Sequence, residues 1–352
     1  MPMIPGALHI WYRVAQGRRN MAVAGNLWRR LGSLIARHMI IVMPCCLALG
    51  ILRPEWFVPL RPLVGPLFMV MAFQGALGNS VARVRETFAH PLPLVLILLF
   101  SHVGMPLIAF GVGHALFGAS PAVVSGLTLE YAVPVATSSI LWISLYGGDI
   151  SLGLSAVLLS ALVSPVTIPL AMQLLVGTSV QIDVAGMVRE LAVLVAVPAV
   201  AGTTLNDATH GWGARTLAPA LAPLARILLV LIVTTNTTGI SSLMLHLTPL
   251  LVGVLAFSGV LCTLGYLLGL LLARGTHQPR DRFVSMTFAS AMKNISAGAV
   301  IAVGSLPADA LFPVMAGTLF QQFLAAAFGS RMGRALEGGG NVGEECLVHR
   351  AL

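Results

Sequence analysis

The sequence predicts an all-α membrane protein of ten transmembrane helices, arranged as two five-helix repeats of inverted topology. Three observations predict it. Hydrophobic residues make up 57% of the chain and charged residues 9%, whereas a soluble domain carries about 25% charge. The apolar runs are continuous rather than alternating, as in Val95 to Leu116, Leu152 to Val176 and Leu247 to Leu272. Each reaches or exceeds the roughly 20 residues that cross a bilayer as a helix. Third, the two halves of the chain share residues at one fixed offset. Lipid leaves only helices and closed barrels with a satisfied backbone, and unbroken apolar runs select helices.

In chain order, residues 1–33 form a basic N-terminal segment. The first 38 residues carry six arginines, interleaved with Ile10, Trp11, Leu27 and Trp28. That pattern suits a helix lying in an anionic interface, or a tail held at lipid headgroups by its arginines. No short apolar core with a small-residue cleavage site follows it at signal-peptide distance. The predicted spans are 34–52, 63–78, 92–117, 121–146 (broken near Pro134), 151–176, 186–205, 218–240, 248–273, 283–303 and 310–332. They divide into a first repeat, 34–176, a second repeat, 184–333, and a C-terminal tail, 334–352.

With an even number of spans both termini lie on one side, and charge selects which. Placing the N-terminus inside puts fifteen arginines in inside segments and leaves Arg53 and Arg61 outside, with Arg189 just within the outer end of the sixth span. This is the positive-inside pattern of an inner (plasma) membrane protein with cytoplasmic termini. A shift of 157 residues sends Pro62, Pro66 and Leu67 onto Pro219, Pro223 and Leu224, and Phe100, Ser101 and Val103 onto Phe257, Ser258 and Val260. Five spans is an odd number, so the second repeat enters the membrane with opposite polarity. Secondary transporters are commonly built this way.

Two polar breaks fall at matching places in the halves. In the fourth span, Glu130-Tyr131-Ala132-Val133-Pro134-Val135-Ala136-Thr137-Ser138-Ser139 interrupts an apolar helix, and Pro134 removes a backbone donor there. In the ninth, Ala289-Ser290-Ala291-Met292-Lys293-Asn294-Ile295-Ser296 does the same, and the 157 shift places Thr137 on Asn294. Paired breaks of this kind point to a binding site. Lys293 is the only lysine among twenty Lys and Arg residues. It stands mid-span, where a lysine costs roughly 2.5–3.5 kcal/mol on insertion scales. Glu130 is the matching buried acid. The candidate substrate or ion site is therefore Glu130, Thr137, Ser138, Ser139, Lys293 and Asn294, with Pro134 as the helix break. A structural ion pair or a snorkelling lysine is the plain alternative. His102, mid-span in the third helix, is a candidate proton carrier, or else a histidine bonded to a neighbouring helix. Arg226, deep in the seventh span near Thr234-Thr235-Asn236-Thr237-Thr238, is a candidate for lining an aqueous cavity. Cys45, Cys46, Cys262 and Cys346 have no metal-ligand spacing, and no cofactor is expected.

At these residues the chain resembles the bile acid:sodium symporter family, from about residue 60 to 332. The family's fourth-span break, Pro-Gly-Gly-Thr-x-Ser-Asn followed by Gly-Asp, reads here Pro134-Val135-Ala136-Thr137-Ser138-Ser139-Ile140 and then Gly148-Asp149. Its ninth-span Glu-x-Gly-Met-Gln-Asn reads Ala289-Ser290-Ala291-Met292-Lys293-Asn294. Leu67-Phe68, Gly75, Leu77, Arg83-Val84-Arg85 and His90-Pro91 match its opening in style. The resemblance implies a core domain of spans 3–5 and 8–10 holding two crossing broken helices (spans 4 and 9). A panel of spans 1, 2, 6 and 7 would face it across the substrate cavity. It also implies where this chain departs. Sodium-binding members carry Asn at the place of Ile140, Glu at Ala289, hydroxyls at Gly153 and Val157, and Gln at Lys293. Thr137, Ser139, Met292 and Asn294 are kept. A divergent branch with Ser-Ser after the first break and a lysine in the second is similar to this chain.

Together these readings lead to a secondary active transporter of a small organic anion that works by alternating access. Coupling is expected to be sodium-independent or to use H+, with Na+ as the alternative coupling ion. The bilayer is its other partner, and nucleic acid is not one. Sodium-coupled bile acid or organic anion symport is one alternative. An auxin-efflux-type carrier, suggested by Tyr146-Gly147-Gly148-Asp149, is another, and a channel or non-transporting sensor a third. With no HExxH, no Gly-x-Ser-x-Gly and no paired acidic motif, the chain is not expected to be an enzyme.

Overall fold

The computed structural model describes residues 38–87, 91–177, 183–246 and 248–337, together with Arg30, Gly32, Leu34, Ile35, Ser179 and Val180. The expected interfacial segment 1–33 lies outside these apart from Arg30 and Gly32, as does the tail beyond Glu337. Thirteen helices carry the fold: α1 Met39–Leu52, α2 Pro54–Ala76, α3 Val81–Thr87, α4 Pro91–Phe117, α5 Pro121–Ala132, α6 Ser139–Leu145, α7 Ile150–Leu175, α8 Val184–Ala208, α9 Gly213–Leu245, α10 Pro249–Gly275, α11 Arg280–Ala291, α12 Ile295–Ser305 and α13 Leu311–Glu337. Seven of the helices are long and apolar enough to cross a membrane: α2, α4, α7, α8, α9, α10 and the last, over Ala308–Gly333. The protein is thus an all-helical, multi-pass membrane protein. Large apolar side chains such as Leu52, Val166, Leu174 and Val260 stand on its outer surface, where only lipid makes a favourable solvent.

Prolines write much of the local structure. Pro54, Pro91, Pro121 and Pro249 each open a helix at its first turn, where the missing N–H is no loss. Pro59 and Pro62 remove two donors from the start of α2, and Val58–Leu63 tightens into a 3₁₀ segment. The second span therefore begins earlier than the sequence suggests. Three π-helical turns, Phe100–Gly104, Ala192–Ala196 and Gly213–Leu217, each lie just before a proline: Pro106, Pro198 and Pro219. A proline ring inside a helix clashes with the carbonyl four residues back. Widening the preceding turn by one residue relieves the clash, with the Met105 N–H reaching back to the Phe100 carbonyl.

The helices pack in two groups. In one, α1, α2, α8 and α9 lie against each other; in the other, α4 packs on α5, α10 on α11 and α13, and α13 on α5. Small residues permit the close approaches, as in soluble and membrane bundles alike. A Cβ added to Gly269 of α10 would stand 3.1 Å from the Thr287 carbonyl oxygen of α11. Among the described residues the β pairing is a single antiparallel bridge, Val135 with Lys293. It forms where the two broken helices, α5–α6 and α11–α12, meet.

Candidate functional site

Helix α5 stops at Ala132 because Pro134 cannot continue it, and Val133 turns to an extended conformation (φ −63°, ψ 158°). Helix α11 stops at Ala291, and Met292 is likewise extended (φ −87°, ψ 121°), with no proline present. The two extended stretches run antiparallel and exchange backbone hydrogen bonds. Ala136 N–H donates to the Met292 carbonyl (3.0 Å) and Asn294 N–H to the Pro134 carbonyl (2.9 Å). This leaves the N–H groups of the bridge residues themselves pointing outward from the pair, and both residues are buried. Each is taken by a side chain from its own half of the sequence. Val135 N–H donates to Ser160 Oγ of α7 (2.9 Å), and Lys293 N–H donates to Gln321 Oε1 of α13 (2.8 Å). A buried backbone donor left unpaired costs about 1–3 kcal/mol, so these two side chains hold the crossing in place.

Beyond the bridge, the half-helices restart. Asn294 caps α12, its Oδ1 accepting from Ala297 N–H at 3.3 Å. Ser138 precedes α6 without a side-chain cap bond. Asp149 caps α7 through Leu152 N–H (3.0 Å). Its backbone N–H meets the Asp281 carbonyl (3.0 Å), which ties the end of the first broken helix to the start of the second.

Lys293 is buried, and its Nζ donates to the Ser101 carbonyl at 3.0 Å. That carbonyl lies in the π-helical turn of α4. The residue that would bond it across a π turn is Pro106, which has no N–H. The proline thus leaves an acceptor open and the only lysine fills it. The shifted counterpart of this acceptor is also bonded, by a donor at a different position. Tyr131 of the first break donates its hydroxyl to the Ser258 carbonyl of α10 at 3.4 Å, and Ser258 is the shifted partner of Ser101.

A cavity of about 290 Å³ opens beside the crossing, between the two helix groups. Pro134, Thr137, Ser138, Lys293 and Asn294 line it on one side, with Gln321 and Gln322 of α13. Phe68, Met71 and Gln74 of α2 and Ala225, Arg226 and Leu229 of α9 line it on the other. Thr137 is pressed toward α2, where a Cβ on Gly75 would stand 2.9 Å from its Cγ2. Arg226, read from the sequence as a candidate cavity residue, does line it.

The other expected site residues fall elsewhere. Ser139 is fully buried with an unpartnered hydroxyl and does not face the cavity. Glu130 does not face it either and makes no ion pair with Lys293. Its carboxyl accepts from the Gly317 N–H of α13, and its Oε2 has no partner. A Cβ on Gly317 would collide with Glu130 Oε1, so the glycine is what admits the carboxyl. His102 is fully engaged: Nε2 is 2.8 Å from Ser160 Oγ and Nδ1 is 2.9 Å from Thr167 Oγ1. One neutral tautomer uses every donor in turn, from Val135 N–H to Ser160 to His102, and from His102 to Thr167 to the Val163 carbonyl (3.2 Å). The ring steadies the serine that holds the first break. Sequence reasoning missed Ser160 and Gln321. The adjacent pair Gln321-Gln322, polar in the middle of an apolar last span, was the signal that could have found the second.

Comparison with known proteins places the chain in a family. The profile of the Sodium Bile acid symporter family matches residues 65–247, just over half of the chain. The uncharacterized protein YbaS of Bacillus subtilis (strain 168) is 32% identical over 296 residues, covering 84% of this chain and 97% of that protein. The chain is a membrane transporter that belongs to the sodium bile acid symporter family.

Proposed function

We propose that this transporter is a secondary carrier of a small organic anion that needs no sodium ion, because the Lys293 ammonium supplies the charge a bound cation would supply. The carrying observation is the 3.0 Å contact from Lys293 Nζ to the Ser101 carbonyl, directly behind the crossing of the two breaks. Where the resembling sodium-binding members carry side-chain oxygens, this chain has Ile140, Gly153, Val157 and Ala289. A fixed ammonium repels a second cation at short range. The cavity, at about 290 Å³, stands at the small end of ligand pockets, which favours a small solute over a large one.

In this reading the seven long helices, α1 and the two broken helices make ten crossings in two inverted repeats. The bonded carbonyls of Ser101 and Ser258, related by the 157 shift, support the repeat. The group α1, α2, α8 and α9 acts as the panel and the remaining spans as the core, and their relative motion exposes the cavity to either side in turn. Both termini face the cytoplasm of a plasma membrane.

Counterflow in proteoliposomes tests the coupling: uptake is saturable and indifferent to replacement of external sodium by choline. Steep stimulation by sodium would overturn it. Orientation is tested by Glu55→Cys, Gly118→Cys and Met244→Cys, each in a background stripped of native cysteine. All three label from outside intact cells, and labelling at Ser80→Cys or Thr276→Cys instead would reverse the topology.

A further inference from the structure

The cavity wall contributed by α9 is a single helical face, Ala222, Ala225, Arg226, Leu229 and Val233. Every residue on it is small or apolar except Arg226. Across the cavity stands the second cation, Lys293, and no aspartate or glutamate lines the cavity anywhere. The two cations are not equivalent. Lys293 is held by the Ser101 carbonyl. Arg226 has no hydrogen-bond or ion-pair partner among the described residues.

A guanidinium keeps its proton under all ordinary conditions and presents five donors in a planar fork. Placed within a membrane-spanning helix without a counter-charge it is costly, and arginines in such places mark substrate paths. No described residue completes it, and the occupant of the cavity it lines is placed to do so. We infer that Arg226 anchors the anionic end of the transported solute, and that this end is a carboxylate, whose two oxygens match the fork. The solute's body is then apolar and short, packed against Phe68, Met71, Leu141 and Leu229. This rests on the anion-carrier reading above and deepens it. It assigns the ligand contact to the panel side of the cavity and leaves Lys293 as the fixed charge of the crossing.

The test uses the purified full-length protein and the straight-chain carboxylates from butanoate to octanoate, each beside its primary amide and its sulfonate. Binding is read by thermal shift and by calorimetry. Wild type binds carboxylates and not the isosteric amides. Arg226→Gln loses carboxylate affinity about ten- to a hundredfold, the size expected of hydrogen bonds to a charged partner. Arg226→Lys, which keeps the charge and loses the fork, falls between and narrows the preference for carboxylate over sulfonate. If Arg226→Gln binds carboxylates as wild type does, Arg226 is not the anchor and the carrier reading stands without it. If wild type binds amides as tightly as carboxylates, or binds neither, the anion reading itself fails and the assignment fails with it. Melting temperatures of the ligand-free variants separate loss of binding from loss of fold, and Arg226→Lys serves if Arg226→Gln does not fold.

Discussion

The two helix breaks reach one backbone geometry by different chemistry. In the first, Pro134 ends α5 by steric exclusion, and Ser160 takes the free N–H of Val135 with His102 behind it. In the second there is no proline. Gln321 takes the free N–H of Lys293, Asn294 caps the restarted helix, and the lysine's own ammonium reaches across to α4. The first break carries a proline and is electrically neutral at its centre. The second is held by polar contacts and carries the charge. The difference teaches that this chain's crossing does not require proline on both strands, and that the strand without it is the one that carries the buried lysine.

The largest expected effect follows from the charge. Lys293→Gln keeps a donor for the Ser101 carbonyl and removes the ammonium. Transport in proteoliposomes falls by roughly tenfold or more, since a charge-assisted contact is about twice as strong as a neutral one. Sodium does not stimulate the wild type. If the variant transports normally, or wild type responds steeply to sodium, the second break is no more charged in function than the first.

The next effect compares the two side chains that hold the bridge. Gln321→Leu strands the Lys293 N–H and Ser160→Ala strands the Val135 N–H. Each destabilises the purified protein by about 1–3 kcal/mol, read as a lowered melting temperature in detergent. Ser160→Ala also leaves His102 Nε2 without its 2.8 Å partner, so its cost is the greater of the two. Equal and negligible costs would mean that the bridge is held by its backbone bonds alone.

A smaller effect is expected from Glu130→Gln. The carboxyl faces Gly317 and no cation, so removing its ability to ionise changes melting by less than about 1 kcal/mol and leaves transport close to wild type. Loss of transport on the scale of Lys293→Gln would restore the pairing of the two residues that the sequence suggested.

Much of this was legible beforehand, for reasons that can be named. The membrane class, the two helix breaks and the odd lysine follow from continuous hydrophobicity, a proline and a costly charge. Those signals depend on the residue alone. The partners of that lysine were not legible. Pairing Glu130 with Lys293 is the natural guess from two buried charges, yet the acceptor is the Ser101 carbonyl, freed because Pro106 sits five residues later. Backbone acceptors have no sequence signature until a proline is recognised as opening one. The same holds for Ser160, an ordinary helical serine until the extended stretch of Val135 is placed beside it. Span ends were misread where prolines tightened or widened a turn, as at Val58–Leu63 and Gly213–Leu217.

The smallest effect is the most informative about the comparison. Pro134→Ala returns an N–H to the first break and removes the ring that ends α5. From the sequence alone this substitution looks able to restore a continuous helix and abolish the site. The structure argues otherwise, because the second break adopts the same extended path with Met292 in place of a proline's neighbour. Three bonds hold the first strand independently of Pro134's ring: Val135 N–H to Ser160, Ala136 N–H to Met292 and Asn294 N–H to the Pro134 carbonyl, which alanine also supplies. What remains is the loss of a restricted residue from the unfolded chain, about 0.4–1 kcal/mol. Pro134→Ala should therefore melt only slightly lower than wild type and retain most of its transport. Combined with Ser160→Ala the two losses should exceed their sum, since the serine is then the remaining restraint on that strand. If Pro134→Ala alone abolishes transport at equal expression, the first break is dictated by its proline, and the likeness between the two strands is one of shape without shared cause.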